Sequence, residues 1–208
     1  SLKTLKVAYL PVLLTYFAYG ASGITSLAAL YFQKEALGIT PAEAAAIAFW
    51  VGLPWSMKMV VGVSSDVYPI LGSRRKAYLL LGALGSFGGY LYLATGVSSK
   101  TAYLAAVVLV AVGFMIQDVV ADALSVEVAR TDEEMAHLQT LGRMALLVGT
   151  ISVGYASGVL TGLLGPRPVF ALAALLPVTV ALAALFVRPS ERAPAAREEG
   201  PLGGGRAR

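Results

Sequence analysis

Four ionisable residues interrupt stretches of sequence that are otherwise apolar: Lys58, Asp118, Asp122 and Arg143. If each stretch crosses a membrane, an unpaired charge at its centre costs roughly 2.5–3.5 kcal/mol on insertion scales. Two of the four charges are positive and two are negative, so ion pairing between helices can offset this cost. Because Asp118 and Asp122 are four residues apart, both lie on one face of a helix. We therefore expect the four side chains to meet in the folded protein.

This set of charges has two interpretations. A lysine or arginine can hold an anionic substrate, and a carboxylate inside the membrane can carry a proton. Alternatively, the charges form an ion-pair latch that fixes helix packing or closes a cytoplasmic gate. At a rise of 1.5 Å per residue, Lys58, Asp122 and Arg143 lie within about 10 Å of helix ends on one side, and Asp118 lies one turn deeper. Its depth makes Asp118 the candidate proton carrier.

Aromatic residues near these charges also have two interpretations. Trp50 and Trp55 can stack on an aromatic substrate, or they can anchor a helix at the membrane interface. Tyr16 and Tyr19 can line a cavity, or they can pack between helices. The sequence leaves both choices open.

Six apolar stretches are long enough to position these residues, since a helix needs about 20 apolar residues to span a bilayer. The chain is 57% hydrophobic and 13% charged, whereas soluble domains are roughly 45–50% apolar and about 25% charged. We therefore predict an all-α membrane protein with six transmembrane helices. The predicted spans are Leu5–Phe32, Pro41–Val63, Ala77–Val97, Thr101–Glu127, His137–Leu164 and Pro168–Val187.

Glycine spacing predicts where these helices approach one another. Gly154, Gly158 and Gly162 recur every four residues in the fifth span, and Gly85 and Gly89 do so in the third. Small residues at this spacing let helix backbones come close in lipid. We expect close helix contacts at these positions.

The basic residues predict the orientation in the membrane. Most of the 16 lysines and arginines fall on the side that carries both termini, and an excess of basic residues marks the cytoplasmic side. We therefore expect an integral protein of the cell's inner (plasma) membrane with both termini in the cytoplasm. Residues 1–188 form the six-helix bundle, and the polar residues 189–208 form a flexible cytoplasmic linker or tail.

Several kinds of chemistry have no counterpart in the sequence. There is no cysteine and only one histidine, and neither a phosphate-binding loop nor a nucleophile elbow is present. We therefore expect no enzyme, no cofactor and no metal site. The basic residues are scattered between apolar stretches, so nucleic acid is not an expected partner.

The loop after the second span resembles the signature loop of the major facilitator superfamily. That pattern has a glycine, an aspartate four residues later, and a second glycine followed by basic residues. The matching residues here are Gly62, Asp66, Gly72, Arg74 and Arg75. The departure from the pattern is a longer insert, Val67–Leu71, between the aspartate and the second glycine.

Two blocks make the resemblance more specific. Near this loop, the chain is similar to the folate–biopterin transporter family at Pro54, Trp55, Lys58, Pro69, Ile70 and Tyr78. The block Asp118–Ala123, continuing through Glu127 to Arg130, is similar to the fourth-helix motif of that family. The resemblance implies a twelve-helix fold of which this chain supplies the N-terminal six-helix half. A second half, in the same chain or as a separate subunit, is then a required partner.

The resemblance also implies a function and two sets of roles. The expected protein is a secondary transporter that moves a pterin, a folate or a related small organic anion by alternating access, coupled to protons. Gly62, Asp66, Gly72, Arg74 and Arg75 are then expected at the cytoplasmic gate. Lys58, Asp118, Asp122 and Arg143 remain the candidates for the substrate or proton site.

Two alternatives stay open at this level. Gln117, Asp118, Asp122 and Ala123 also resemble a block found in muropeptide permeases and acetyl-CoA transporters. A non-transporting membrane assembly factor built on the same fold is the second alternative. The four charges inside the spans argue against a purely structural role.

Overall fold

The computed structural model describes residues 7–68, 70, 73 and 75–187 of the chain. The α-helices are α1 (Leu10–Ala21), α2 (Ser26–Tyr31), α3 (Pro41–Ser56), α4 (Lys58–Val67), α5 (Lys76–Thr95), α6 (Lys100–Val128), α7 (Asp132–Leu164), α8 (Pro166–Ala173) and α9 (Leu175–Ala183). Short 3₁₀ turns cover Val7–Tyr9, Ser22–Thr25 and Ala184–Phe186, and a π-helical turn covers Phe32–Ala36. Gly72, Arg74 and the predicted tail 189–208 lie outside the described residues.

These helices form six stretches that are long and apolar enough to cross a membrane, which confirms the predicted all-α fold. The spans are Val7–Ala36, Pro41–Val67, Lys76–Thr95, Lys100–Val128, Asp132–Leu164 and Pro166–Phe186, here called the first to the sixth. The first span contains α1 and α2, the second contains α3 and α4, and the sixth contains α8 and α9.

Side-chain caps set several of the helix starts. Thr40 and Glu43 form a reciprocal capping box at the start of the second span. Thr131 accepts a hydrogen bond from the backbone N–H of Glu134 at 3.1 Å and caps the fifth span. This helix therefore begins at Asp132, five residues before the predicted start at His137, because capped acidic residues stabilise a helix N-terminus.

Helices approach most closely at glycines, but not at the three glycines of the fifth span that recur every four residues. A Cβ atom on Gly82 would lie 2.7 Å from the carbonyl oxygen of Gly113, where the third and fourth spans cross. A Cβ on Gly20 would collide with the backbone of Leu146, where the first and fifth spans cross. Gly154 and Gly162 have nothing within 4 Å in the described part of the chain, so they form no helix contact there.

Two spans are interrupted near their middle. The first changes from α-helix to a 3₁₀ turn at Ser22–Thr25. The second breaks at Met57, three residues after a proline, Pro54, that lies inside the helix. The backbone N–H of Met57 donates to the Pro54 carbonyl at 2.9 Å, and Lys58 begins a new helix. In membrane proteins, broken helices occur where backbone is buried in protein or lines a cavity.

The spans differ in how much of their surface is covered. In the most apolar part of the second and fifth spans, 11% and 17% of residues are buried, against 44% to 56% in the other four. Large apolar side chains on these two spans are exposed, among them Met59, Val63, Ile151 and Tyr155. The second span packs on the fourth, and the fifth packs on the first. Both spans therefore leave most of their apolar surface uncovered within the described residues.

Candidate functional site

Three of the four predicted intramembrane charges meet directly. The Lys58 ammonium forms an ion pair with the Asp118 carboxylate and lies 3.8 Å from Oδ2 of Asp122. The Asp118 side chain is 10% exposed, whereas those of Lys58 and Asp122 are 35% and 48% exposed. The ion pair thus links the second and fourth spans, and it is open to the surroundings on the Asp122 side.

Asp122 has a second partner on the first span. The hydroxyl group of the buried Tyr16 donates a hydrogen bond to Oδ1 of Asp122. One carboxylate oxygen therefore faces a hydroxyl group, and the other faces the ammonium group of Lys58. This arrangement fixes the orientation of Asp122 between two spans.

Tyr16 reaches Asp122 because the fifth span carries no side chain at the contact point. A Cβ atom on Gly142 would lie 2.8 Å from Cδ2 of Tyr16, which is closer than Cβ atoms pack in proteins. The ring of Tyr16 therefore occupies the space that a side chain at position 142 would need. Of the two interpretations that the sequence left open for Tyr16, its burial and its contact with Gly142 favour packing between helices, at a position beside the charges.

Arg143 follows Gly142 on the fifth span but makes no direct ion pair within the described residues. Its side chain is exposed, while the preceding Gly142 lies against the Tyr16 ring. Arg143 therefore lies beside the cluster without joining its ion pairs. The predicted layer of four charges contains three in contact and one nearby.

An aromatic wall adjoins the ion pair. The Tyr19 ring centroid lies 5.3 Å from that of Trp55 and 5.9 Å from that of Phe114. The Lys58 ammonium lies 5.3 Å from the centroid of the Trp55 ring, within cation–π range. Trp50 instead contacts only Phe49 among the ring pairs of the described chain, and it is half exposed. Phe114 carries no charge or motif, so sequence reasoning did not single it out.

A second polar cluster lies toward the end of the second span. The Arg75 side chain donates to Glu127 Oε1 at 2.7 Å, to Ser65 Oγ at 2.9 Å and to Asp66 Oδ1 at 2.6 Å. The guanidinium group is buried, and it joins the second, third and fourth spans. We call these four residues the Arg75 network.

The Arg75 network includes two predicted gate residues, Asp66 and Arg75, and two that were not predicted there, Ser65 and Glu127. Asp66 and Arg75 pair as a gate contact would require, while Glu127 appeared in the sequence only as part of a motif. Gly62 lies on the same helix, where an added Cβ would be in ordinary contact, 3.6 Å from Val119. Gly62 therefore makes no tight approach, and no packing reason for a glycine is evident there.

The described residues contain no group of three or more histidine, cysteine, aspartate or glutamate side chains that could hold a metal ion. The polar atoms of the two clusters are carboxylates, cations and hydroxyl groups. These groups can exchange a proton and bind an anion, and the adjoining aromatic wall can stack on an aromatic ring.

Comparison with known proteins gives consistent similarities. A family model described as the BT1 family matches residues 19–202. The chain is 37% identical to a folate-biopterin transporter of Synechocystis sp. over 92% of this chain and 39% of that protein. It is 28% identical to a probable folate-biopterin transporter 4 of Arabidopsis thaliana over 86% of this chain and 38% of that protein.

A third relative is matched over a similar share of both chains. It is 27% identical to folate transporter 2 of Plasmodium falciparum over 83% of this chain and 38% of that protein. The chain therefore spans about two fifths of the length of the curated relatives that it matches.

Proposed function

This chain belongs to the BT1 family, and from this premise we propose that it forms the substrate- and proton-binding part of a membrane transporter for folates or pterins. The observation that carries the proposal is the Lys58–Asp118 ion pair, which lies beside Trp55 at a break in a membrane-spanning helix. Broken helices that present polar groups inside the membrane are a recurring feature of transporter binding sites.

The proposed mechanism couples a proton to an anion through this ion pair. While Asp118 is ionised, it occupies the Lys58 ammonium group. Protonation of Asp118 removes the negative charge and frees Lys58 to bind a substrate carboxylate. Release of the proton on the other side of the membrane restores the ion pair and expels the anion. Proton and anion therefore travel together, as in a symporter.

The surroundings of the ion pair suit a flat heteroaromatic substrate. A pterin ring can stack on Trp55 and Tyr19, since these rings lie beside Lys58. The amino and ring N–H groups of a pterin are donors, and Asp122 offers carboxylate oxygens that accept them. Tyr16 holds Asp122 in place for this contact.

We further propose that the Arg75 network closes the cytoplasmic side of this site. In this arrangement the protein lies in the inner membrane of the cell and both of its termini lie in the cytoplasm, as the distribution of basic residues suggests. The uncovered apolar surfaces of the second and fifth spans then receive a second six-helix half, in the same chain or as a separate subunit. Alternating access follows when the two halves rock about the bound substrate.

Uptake measurements with two tryptophan variants test the proposed substrate. We expect vesicles containing the full-length protein to accumulate labelled folate or biopterin with saturation. Trp55→Ala should weaken the apparent affinity by roughly tenfold, because base–aromatic stacking contributes about 1–3 kcal/mol. Trp50→Ala is the matched control, since Trp50 lies on the same span and contacts only Phe49 among described rings.

The same assay decides between the proposal and its alternatives. Uptake of peptidoglycan fragments or acetyl-CoA in place of folate would contradict the proposed substrate class. No saturable uptake of any of these solutes would contradict transport itself and favour an assembly factor. Equal losses of apparent affinity in Trp55→Ala and Trp50→Ala would show that Trp55 does not contact the substrate.

Two substitutions on different spans are expected to have the same effect on Asp122. Gly142→Ala should push the Tyr16 ring away, because the added Cβ would lie 2.8 Å from Cδ2. Tyr16→Phe removes the hydroxyl donor directly. We expect each variant to raise the KM for uptake about tenfold or more, as one hydrogen bond to a charged group contributes about 1.5–3 kcal/mol.

The double variant distinguishes a shared cause from two separate ones. If Gly142 acts through Tyr16, Gly142→Ala combined with Tyr16→Phe should be no worse than either single change. Gly158→Ala on the same span is the control, because its nearest neighbour is a flexible leucine side chain at 3.4 Å. Additive losses would show that Gly142 does not act through Tyr16.

A further inference from the structure

A groove with an entirely apolar lining lies on the outer surface between the third and sixth spans. Its volume is about 320 Å³. The third span contributes Leu80, Leu84 and Phe87, and the sixth contributes Pro177, Val178 and Ala181. Leu84 is 67% exposed, so the groove opens outward. Because both spans cross the membrane, this surface is in contact with lipid.

One basic side chain lies in line with the groove. Lys76, Leu80 and Leu84 are four residues apart in sequence and share one face of α5. Lys76 is at the membrane end of that helix, and its ammonium group has no ion-pair partner within the described chain. A positive charge at the membrane interface therefore lies at one end of the apolar groove.

The length of this feature matches one leaflet of a bilayer. From Lys76 to Phe87 the helix rises about 16 Å, and the hydrocarbon core of one leaflet is about 15 Å thick. A lipid whose phosphate meets Lys76 would therefore have its acyl chain beside the groove along its full depth. Polar solutes find no hydrogen-bonding group there, since all the lining side chains are apolar.

We propose that this groove and Lys76 form a binding site for an anionic phospholipid. The phosphate pairs with the Lys76 ammonium, and one acyl chain fills the groove between the third and sixth spans. The acyl chain gains contacts with a fixed surface, while the charge selects anionic over neutral headgroups. The lipid lies on the outer face of the bundle, away from the Lys58–Asp118 ion pair.

Lipid retention by the full-length protein tests this site. The protein is purified in neutral detergent, titrated with phosphatidylglycerol or phosphatidylcholine, and analysed by native mass spectrometry. We expect the wild type to prefer phosphatidylglycerol. Lys76→Gln should weaken phosphatidylglycerol binding about fivefold, the effect of one basic residue at a membrane surface. Phosphatidylcholine binding should weaken less, because the choline cation of that lipid offsets its phosphate charge.

A second set of variants tests the groove itself. Leu84→Trp or Ala181→Leu fills the channel and should lower retention of both lipids. Matched controls are Leu163→Trp, an exposed leucine on the fifth span, and Lys34→Gln, an exposed lysine on the first. The site is disproved if the wild type shows no headgroup preference, if Lys76→Gln or both groove-filling variants bind like the wild type, or if the controls lose lipid equally.

Discussion

Asp118→Asn is expected to end accumulation of substrate against a gradient while exchange of substrate across the membrane continues. Asparagine has nearly the shape of aspartate but cannot carry a proton. In this variant, the Lys58 ammonium loses the nearer of its two carboxylates and stays available to the anion, while Asp122 remains 3.8 Å away. Because a pH difference of one unit is equivalent to about 1.4 kcal/mol, one coupled proton supports roughly tenfold accumulation. The variant should reach only equal concentrations on both sides.

The measurement uses two assays on the same vesicles. Uptake driven by an imposed pH gradient reports coupling, and counterflow of labelled against unlabelled substrate reports binding and exchange. Glu133→Gln is the control, since Glu133 is an exposed carboxylate at the start of the fifth span. Normal accumulation by Asp118→Asn would show that Asp118 is not the proton carrier.

A double variant separates the proton site from a purely structural latch. In Lys58→Gln combined with Asp118→Asn, both charges of the ion pair are gone, and Asp122 keeps its hydrogen bond from Tyr16 but loses the Lys58 charge. If the ion pair serves only to fix helix packing, this neutral pair should restore accumulation, as replacement of buried ion pairs is often tolerated. If the pair binds proton and anion, the double variant should fold normally and transport nothing.

The arrangement of spans was largely predictable, because length and composition alone limit what can cross a bilayer. The start of the fifth span was placed at His137 because only the apolar part of the segment was counted as spanning, and Glu133 and Glu134 are charged. In the structure Thr131 caps this segment, and acidic residues suit the first turn of a helix. A local hydrogen bond thus extended the helix beyond its apolar part.

The charge cluster was predictable in part for a related reason. Two carboxylates four residues apart must share a helix face, and unpaired charges inside a membrane must find partners. That Tyr16 meets Asp122, or that Glu127 meets Arg75, depends on how separate helices are rotated against each other. Periodicity within one helix carries no information on that rotation.

Arg75→Gln is expected to open the side of the protein that the Arg75 network closes. Arg75 joins three spans through Ser65, Asp66 and Glu127, and glutamine can replace at most one of these contacts. Glu127 then keeps a largely buried charge without its partner, since its side chain is 23% exposed. Loss of one partner of such a pair costs about 2–5 kcal/mol, so the open form should gain at least roughly thirtyfold in population.

Thiol labelling measures this opening, because the chain contains no cysteine of its own. A cysteine in place of the buried Ser125, on the fourth span between Asp122 and Glu127, reacts with a polar reagent only when this side opens. The reporter is placed in full-length protein cleared of any other cysteine. Arg130→Gln is the control, since Arg130 is exposed and has no ion pair within the described residues.

The two carboxylates of the Arg75 network should differ in how strongly they hold this side closed, and the less exposed one should contribute more. Asp66 is 59% exposed and Glu127 is 23% exposed, and water screens an exposed ion pair more strongly than a buried one. Glu127→Gln should therefore increase labelling of the cysteine reporter at position 125 more than Asp66→Asn does. Arg75→Gln combined with Glu127→Gln should increase labelling no more than Arg75→Gln alone, because the second change removes the carboxylate that the first leaves without its partner. The reverse ranking would mean that Asp66, and not the Glu127 contact that the sequence left unassigned, holds this side closed.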